Sequence, residues 1–200
     1  MILELNVLKN NLYIMFVYNW KSFNEAREPY NTTGLYKNVY ASKSNPDIVI
    51  KTFKLYQVDK VYFEVQFSND NPDIYAKIYK IDYKKGIMIQ EKLNTDIVKK
   101  ELDYLTNKLK RIGYDNDVFN IIKSLIKNPN LYYYVSYKDL SYDIIKEKFK
   151  EKEFNLFNKW FNFIKKISEI DPKKYKKYYL DFHSNNIGED KKGNLKLLDI

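Results

Sequence analysis

Two hundred residues, 44% hydrophobic, 17% aromatic and 30% charged, describe a folded chain that buries about 70% of its unfolded surface as one domain or two small lobes. Cysteine is absent and histidine occurs once, at His183, which excludes disulfides, Cys-ligated zinc, iron-sulfur clusters, a thiol nucleophile and HExxH centres. The 35 Lys and Arg against 26 Asp and Glu leave +9 at pH 7, a charge that attracts phosphate-bearing or acidic partners.

The longest apolar run, Leu12 to Tyr18, falls short of the roughly 18 residues of a membrane span, so a soluble chain without a membrane partner is expected. Glu4 precedes that run and no small-x-small site follows, which argues against a signal peptide, so residues 1–28 read as an N-terminal extension. Strands are then expected at Val39 to Ser42, Ile48 to Phe53, Ile74 to Ile81 and Gly86 to Lys92, interrupted by a helix over Val58 to Phe67. After Asn94 the period changes. Val98, Leu102, Leu105, Leu109 and Ile112 mark an amphipathic helix closed by Gly113; a second spans Asp117 to Lys127. A third carries Phe157, Trp160, Phe161, Ile164 and Ile167 on one face and should lie deep in the core. Short strands return at Lys177 to Asp181, Ile187 to Glu189 and Leu195 to Leu198, with Asp190 to Asn194 as a hairpin turn.

Strands with one helix, then helices, then a hairpin give an α+β protein: a sheet lobe over 29–92 and a mainly helical lobe over 93–200, with a cleft between them as the default site. The lysines are densest from Lys146 to Lys177, and with 20 tyrosines they suggest a nucleic-acid surface. That reading is not favoured. Tyr, Asn, Lys and Ile share AT-rich codons, pointing to a viral, phage or low-GC bacterial gene, and Glu147, Glu151, Glu153, Glu169 and Asp171 break the lysine run into a solvated face.

Chemistry concentrates at the end of the chain. Asp181 stands five residues before Asn186 and eighteen before Asp199, and a hairpin between them can fold the second carboxylate back beside the first loop. Oxygen groups converging in this way suit Mg²⁺ carried with phosphate oxygens. The bland alternative makes them loop and turn residues, with Lys51 and Glu64 a surface ion pair of little worth and Gly34 only a turn.

At these residues the chain resembles the protein-kinase-like superfamily, which includes eukaryotic-type protein kinases and aminoglycoside phosphotransferases. Asp181 with Asn186 matches the catalytic-loop pattern D-x-x-x-x-N, and Asp199 stands where the metal-binding Asp of that family would be. Upstream, Val49-Ile50-Lys51 resembles V-A-I-K, and Glu64 follows thirteen residues on in a helix; Gly34 to Val39 is similar to a degenerate Gly-rich loop whose other glycine positions hold Thr32 and Lys37. The resemblance implies a bilobal kinase-like fold that binds ATP and Mg²⁺. Lys51 would contact the α- and β-phosphates with Glu64 holding it, and Gly34 and Val39 would cover them. Gln90 would be the gatekeeper, with Glu91 and Leu93 offering backbone groups to adenine. Asp181 would orient or deprotonate the acceptor hydroxyl, and Asn186 and Asp199 would hold the metal. His183 looks like the D-x-H-x-x-N variant of aminoglycoside phosphotransferases, either beside the transferring phosphoryl group or as a structural hydrogen-bonding residue.

Tyr179-Leu180-Asp181 replaces H-R-D, so control through an Arg and a phosphorylated activation loop is not expected. Asp199 is the penultimate residue, so the resemblance implies that helices between Asn94 and Ile170, the basic stretch or a partner protein hold the substrate. Three readings result: a Ser/Thr protein kinase, a small-molecule kinase, and a catalytically inactive pseudokinase-like binding or inhibitor protein.

Overall fold

The run Ile48-Val-Ile-Lys-Thr-Phe53 is rich in β-branched residues, and in the computed structural model it is the central strand of an antiparallel sheet. The structure describes residues 27–31, 37–126, 141–170 and 184–199. The sheet contains β1 (Arg27–Asn31), β2 (Lys37–Ser42), β3 (Ile48–Phe53), β4 (Ile78–Asp82) and β5 (Ile87–Glu91) in the order β1-β2-β3-β5-β4. Side chains alternate between faces, so Val49, Lys51 and Phe53 share one face. The register sets Val39 opposite Lys51 and Lys51 opposite Met88, so the lysine stands in a row with two apolar residues. Phe53 and Met88 on that face cluster with Val61 of helix α1 (Val58–Asp70).

Between β4 and β5 the chain reverses at Gly86, whose φ of +64° and whose would-be Cβ 2.2 Å from the Phe53 carbonyl oxygen leave room only for glycine. From β5 the chain enters α2 (Thr95–Arg111), capped by the Asn94 side chain, which accepts from the N–H groups of Asp96 and Ile97 at 3.1 and 3.2 Å. Helices α3 (Val118–Ile126), α4 (Tyr142–Lys148) and α5 (Glu151–Ser168) follow, and then the hairpin β6 (Ile187–Glu189) and β7 (Leu195–Leu197). The main core gathers Val98, Leu105 and Leu109 of α2, Ile121 and Ile122 of α3, and Phe157, Trp160 and Ile164 of α5 around Ile187 and Leu197. Lys146, Lys148, Lys150, Lys152, Lys165 and Lys166 lie exposed, whereas Lys159 turns inward. Burial opposes charge on Lys159, yet Glu189 and Glu101, both within salt-bridge reach, raise its pKa; Glu101 also accepts from the Trp160 indole at 2.9 Å. This cluster fastens α2, α5 and β6 together.

The architecture is α+β, and among the described residues no helix is long and apolar enough to cross a membrane. It departs from the sequence reading at three elements. β1, with Pro29 inside it, pairs at the sheet edge beside β2, where a missing N–H is tolerated. Ile74 to Ala76 are buried but are not the start of β4: they meet β7 through a Tyr75–Leu197 bridge. Helix α4 carries few apolar residues, and the Ser141 hydroxyl, accepting from the Ile144 N–H, marks its start. The strand expected at Lys177 to Asp181 lies outside the described residues.

Candidate functional site

Helix α1 buries Val61, Glu64 and Ser68 along one stripe and Phe63 and Phe67 beside it. A carboxylate in such a stripe is costly unless paired, since transfer of a charge out of water must be offset by a partner. The partner is Lys51, which β3 brings beneath the helix. Glu64 is 0% and Lys51 4% exposed, and Lys51 Nζ lies 3.8 Å from Glu64 Oε1. The pair is therefore a buried one, and the surface-pair alternative is set aside.

The same ammonium donates to the Leu198 carbonyl oxygen at 2.6 Å. Leu198 immediately precedes Asp199, and its own N–H donates to the Asn186 carbonyl oxygen at 2.8 Å, so Asn186 and Asp199 are brought to neighbouring places beside Lys51. Gln90, 0% exposed, donates from Nε2 to the same Leu198 oxygen at 3.3 Å, and its Oε1 is buried without a hydrogen-bond partner among the described residues.

Tyr75, which the sequence reading did not single out, completes the cluster. Its hydroxyl donates to Glu64 Oε1 and stands 3.2 Å from the Leu198 oxygen. Burial first, then the charges of Glu64 and Asp199, push the phenol well above its ordinary range, so it remains a donor. No spacing rule points to it, because the bridge to β7 brings it beside Leu198.

Of the other expected site residues, Val39 lies half-buried on β2 opposite Lys51. Glu91 ends β5, and its carboxylate accepts from the Lys77 N–H and from Lys196 Nζ, each at 3.0 Å, rather than joining the Lys51 cluster. Leu93 is 2% exposed at the junction with α2, so close to β6 that a Cβ on Gly188 would stand 2.4 Å from its Cβ. The hairpin turn is set by Asp190, whose side chain accepts from the N–H groups of Lys192 and Asn194 at 2.8 and 2.9 Å. Gly34, Asp181 and His183 lie outside the described residues. Among the described residues no three or more His, Cys, Asp and Glu side chains gather as a metal cage.

A buried cation, a buried carboxylate and a main-chain oxygen next to a second carboxylate can hold a polyanion at Lys51 and a hard cation at Asn186 and Asp199. Comparison with protein-family models and with curated proteins yields no match for this chain.

Proposed function

We propose that the chain is a bilobal, protein-kinase-like phosphotransferase, dependent on ATP and Mg²⁺, that phosphorylates Ser or Thr hydroxyls of a protein. One observation carries the reading: the buried Lys51 and Glu64 meet the half-buried Leu198-Asp199 step, more than a hundred residues on in sequence, in one cluster of the kind the motif resemblance requires. In this reading Lys51, charged and extended under Glu64, binds the α- and β-phosphates, while Gly34 and Val39 cover them. Glu91 and Leu93 receive adenine at the junction between β5 and α2. Asn186 and Asp199 offer oxygen atoms alone, which fits Mg²⁺ better than a transition metal. When bound, that ion neutralises charge on the phosphates. Asp181 orients the acceptor hydroxyl and takes its proton as the hydroxyl oxygen bonds to the γ-phosphorus and the bond to the β,γ-bridging oxygen breaks, releasing ADP. Catalysis is then positioning plus electrostatics. The reading implies the cytoplasm, that of a host cell if the gene is viral, as the place where ATP is met.

His183, in D-x-H-x-x-N, favours a second reading in which the acceptor is a small hydroxyl compound. The test is thermal unfolding with and without ATP and Mg²⁺ for the wild type and Asp199→Ala. At a hundred times its dissociation constant a ligand adds about 2.7 kcal/mol, which at roughly 2–4 °C per kcal/mol raises the midpoint by about 5–11 °C. The shift is expected in the wild type and lost in Asp199→Ala. No shift in the folded wild type overturns the enzyme reading and leaves a binding protein; transfer of labelled phosphate to protein or to small acceptors separates the two substrates.

A further inference from the structure

Tyr75 stands where two requirements of the nucleotide site meet. Its backbone is fixed because Ala76 donates to the Leu197 carbonyl at 2.8 Å and Leu197 donates back to Ile74 at 2.7 Å. Its ring is fixed by the edge of Phe67, with centroids 5.7 Å apart at 75°. What remains free to matter is the hydroxyl, placed between Glu64 of α1 and the carbonyl before Asp199.

The count of protons and lone pairs gives this placement a purpose. Leu198 O has two lone pairs but three donors around it: Lys51 at 2.6 Å, Tyr75 at 3.2 Å and Gln90 at 3.3 Å. Lys51 is thus one donor more than the carbonyl needs, and it can turn to a phosphate without stranding a buried acceptor. Gln90 then stays on the carbonyl, and the single Tyr75 proton is shared between Glu64 and Leu198.

We propose that Tyr75 is a positioning residue whose hydroxyl couples the Glu64 carboxylate, which sets Lys51, to the Leu198 carbonyl, which sets Asp199. This rests on the nucleotide reading above and adds a residue to it. The phosphate end and the metal end of the site are thereby held in step by one phenol.

Tyr75→Phe keeps the ring and removes the link. The experiment measures ATP binding to the full chain by calorimetry, with Mg²⁺ and with EDTA, for wild type, Tyr75→Phe and Phe67→Leu. Tyr75→Phe is expected to bind MgATP about tenfold more weakly, as for a lost hydrogen bond to a charged group, and to lose at least about threefold of the affinity gain that Mg²⁺ brings. Phe67→Leu disturbs the same packing but spares the hydroxyl, so it should unfold at lower temperature with its Mg²⁺ gain unchanged. Wild type that binds MgATP beside a Tyr75→Phe variant with equal affinity and equal Mg²⁺ gain overturns the proposal alone. Wild type that binds no MgATP overturns the nucleotide reading and the proposal with it. Should Tyr75→Phe not fold, 3-fluorotyrosine at position 75 replaces it: its fluorine resonance must move when MgATP binds, and an unmoved resonance overturns the coupling.

Discussion

Glu64→Gln preserves the shape of the side chain and an acceptor for Tyr75 while removing the charge beneath Lys51. At 3.8 Å and an effective dielectric constant of about 20, the lost attraction is about 4 kcal/mol. Part of it returns, because the neutral amide no longer bears the desolvation cost of a buried carboxylate. The Leu198 oxygen also continues to accept from Lys51 at 2.6 Å. A net loss of about 3 kcal/mol follows, at the low end of what breaking a buried pair costs. At roughly 2–4 °C per kcal/mol for a chain of this size, the variant should melt about 6–12 °C lower. The decisive assay is a cycle of circular-dichroism melts with Lys51→Met and the double variant. Removing the cation should restore stability, so the double variant melts above Glu64→Gln, with a coupling of about 1.5 kcal/mol or more. Salt should change it little, since buried pairs are poorly screened. Additive losses, agreeing within about 0.5 kcal/mol, would refute the ion-pair reasoning.

Two further outcomes test the surroundings. Gly188→Ala drives a methyl to 2.4 Å from Leu93 Cβ, so it should lower stability by about 1–3 kcal/mol in thermal melts; a neutral result would mean that β6 and the junction do not pack as described. Burial opposes ionisation of Asp190, but the donors of Asn194 and Lys192 and the charge of Lys196 hold its carboxyl below the usual range. Its contribution is therefore present above the unfolded-state value of about pH 4 and is lost as pH falls through the lower folded value. The stability gap between wild type and Asp190→Asn should shrink below about pH 4, and a gap constant from about pH 5 to about pH 2.5 contradicts this assignment.

Much of this architecture is written locally. The spacing of Val98, Leu105 and Leu109 by seven and four, and of Phe157, Trp160, Ile164 and Ile167 by three and four, marks stripes that the structure buries, and Ile48 to Phe53 reads as a strand because its residues fit a pleated surface. The pairing of Lys51 with Glu64 was legible as a spacing. Its burial was not, because that depends on α1 lying across the sheet face that Val49, Lys51 and Phe53 share. Ile74 to Ala76 misled for a physical reason: they are apolar to meet the hairpin, not to continue a strand. β1 and α4 are not legible in the sequence, because a proline-bearing edge strand and a short helix with a narrow apolar stripe give weak periodic signals. Tyr75 had no local signal at all. Its role follows from contacts more than a hundred residues distant in sequence, such as that with Leu198.

The hairpin that carries Asn186 and Asp199 is sewn to the rest of the chain at both ends of the β4–β5 ribbon. Ala76 and Ile74 bond to Leu197 before the ribbon begins, and Asn94 and Glu189 exchange a pair of bonds after it ends. Four backbone hydrogen bonds thus form a seam, each worth about 1 kcal/mol net. The seam ties the hairpin to the segments flanking β4 and β5, so displacing Asn186 and Asp199 from Lys51 would break backbone bonds as well as side-chain contacts.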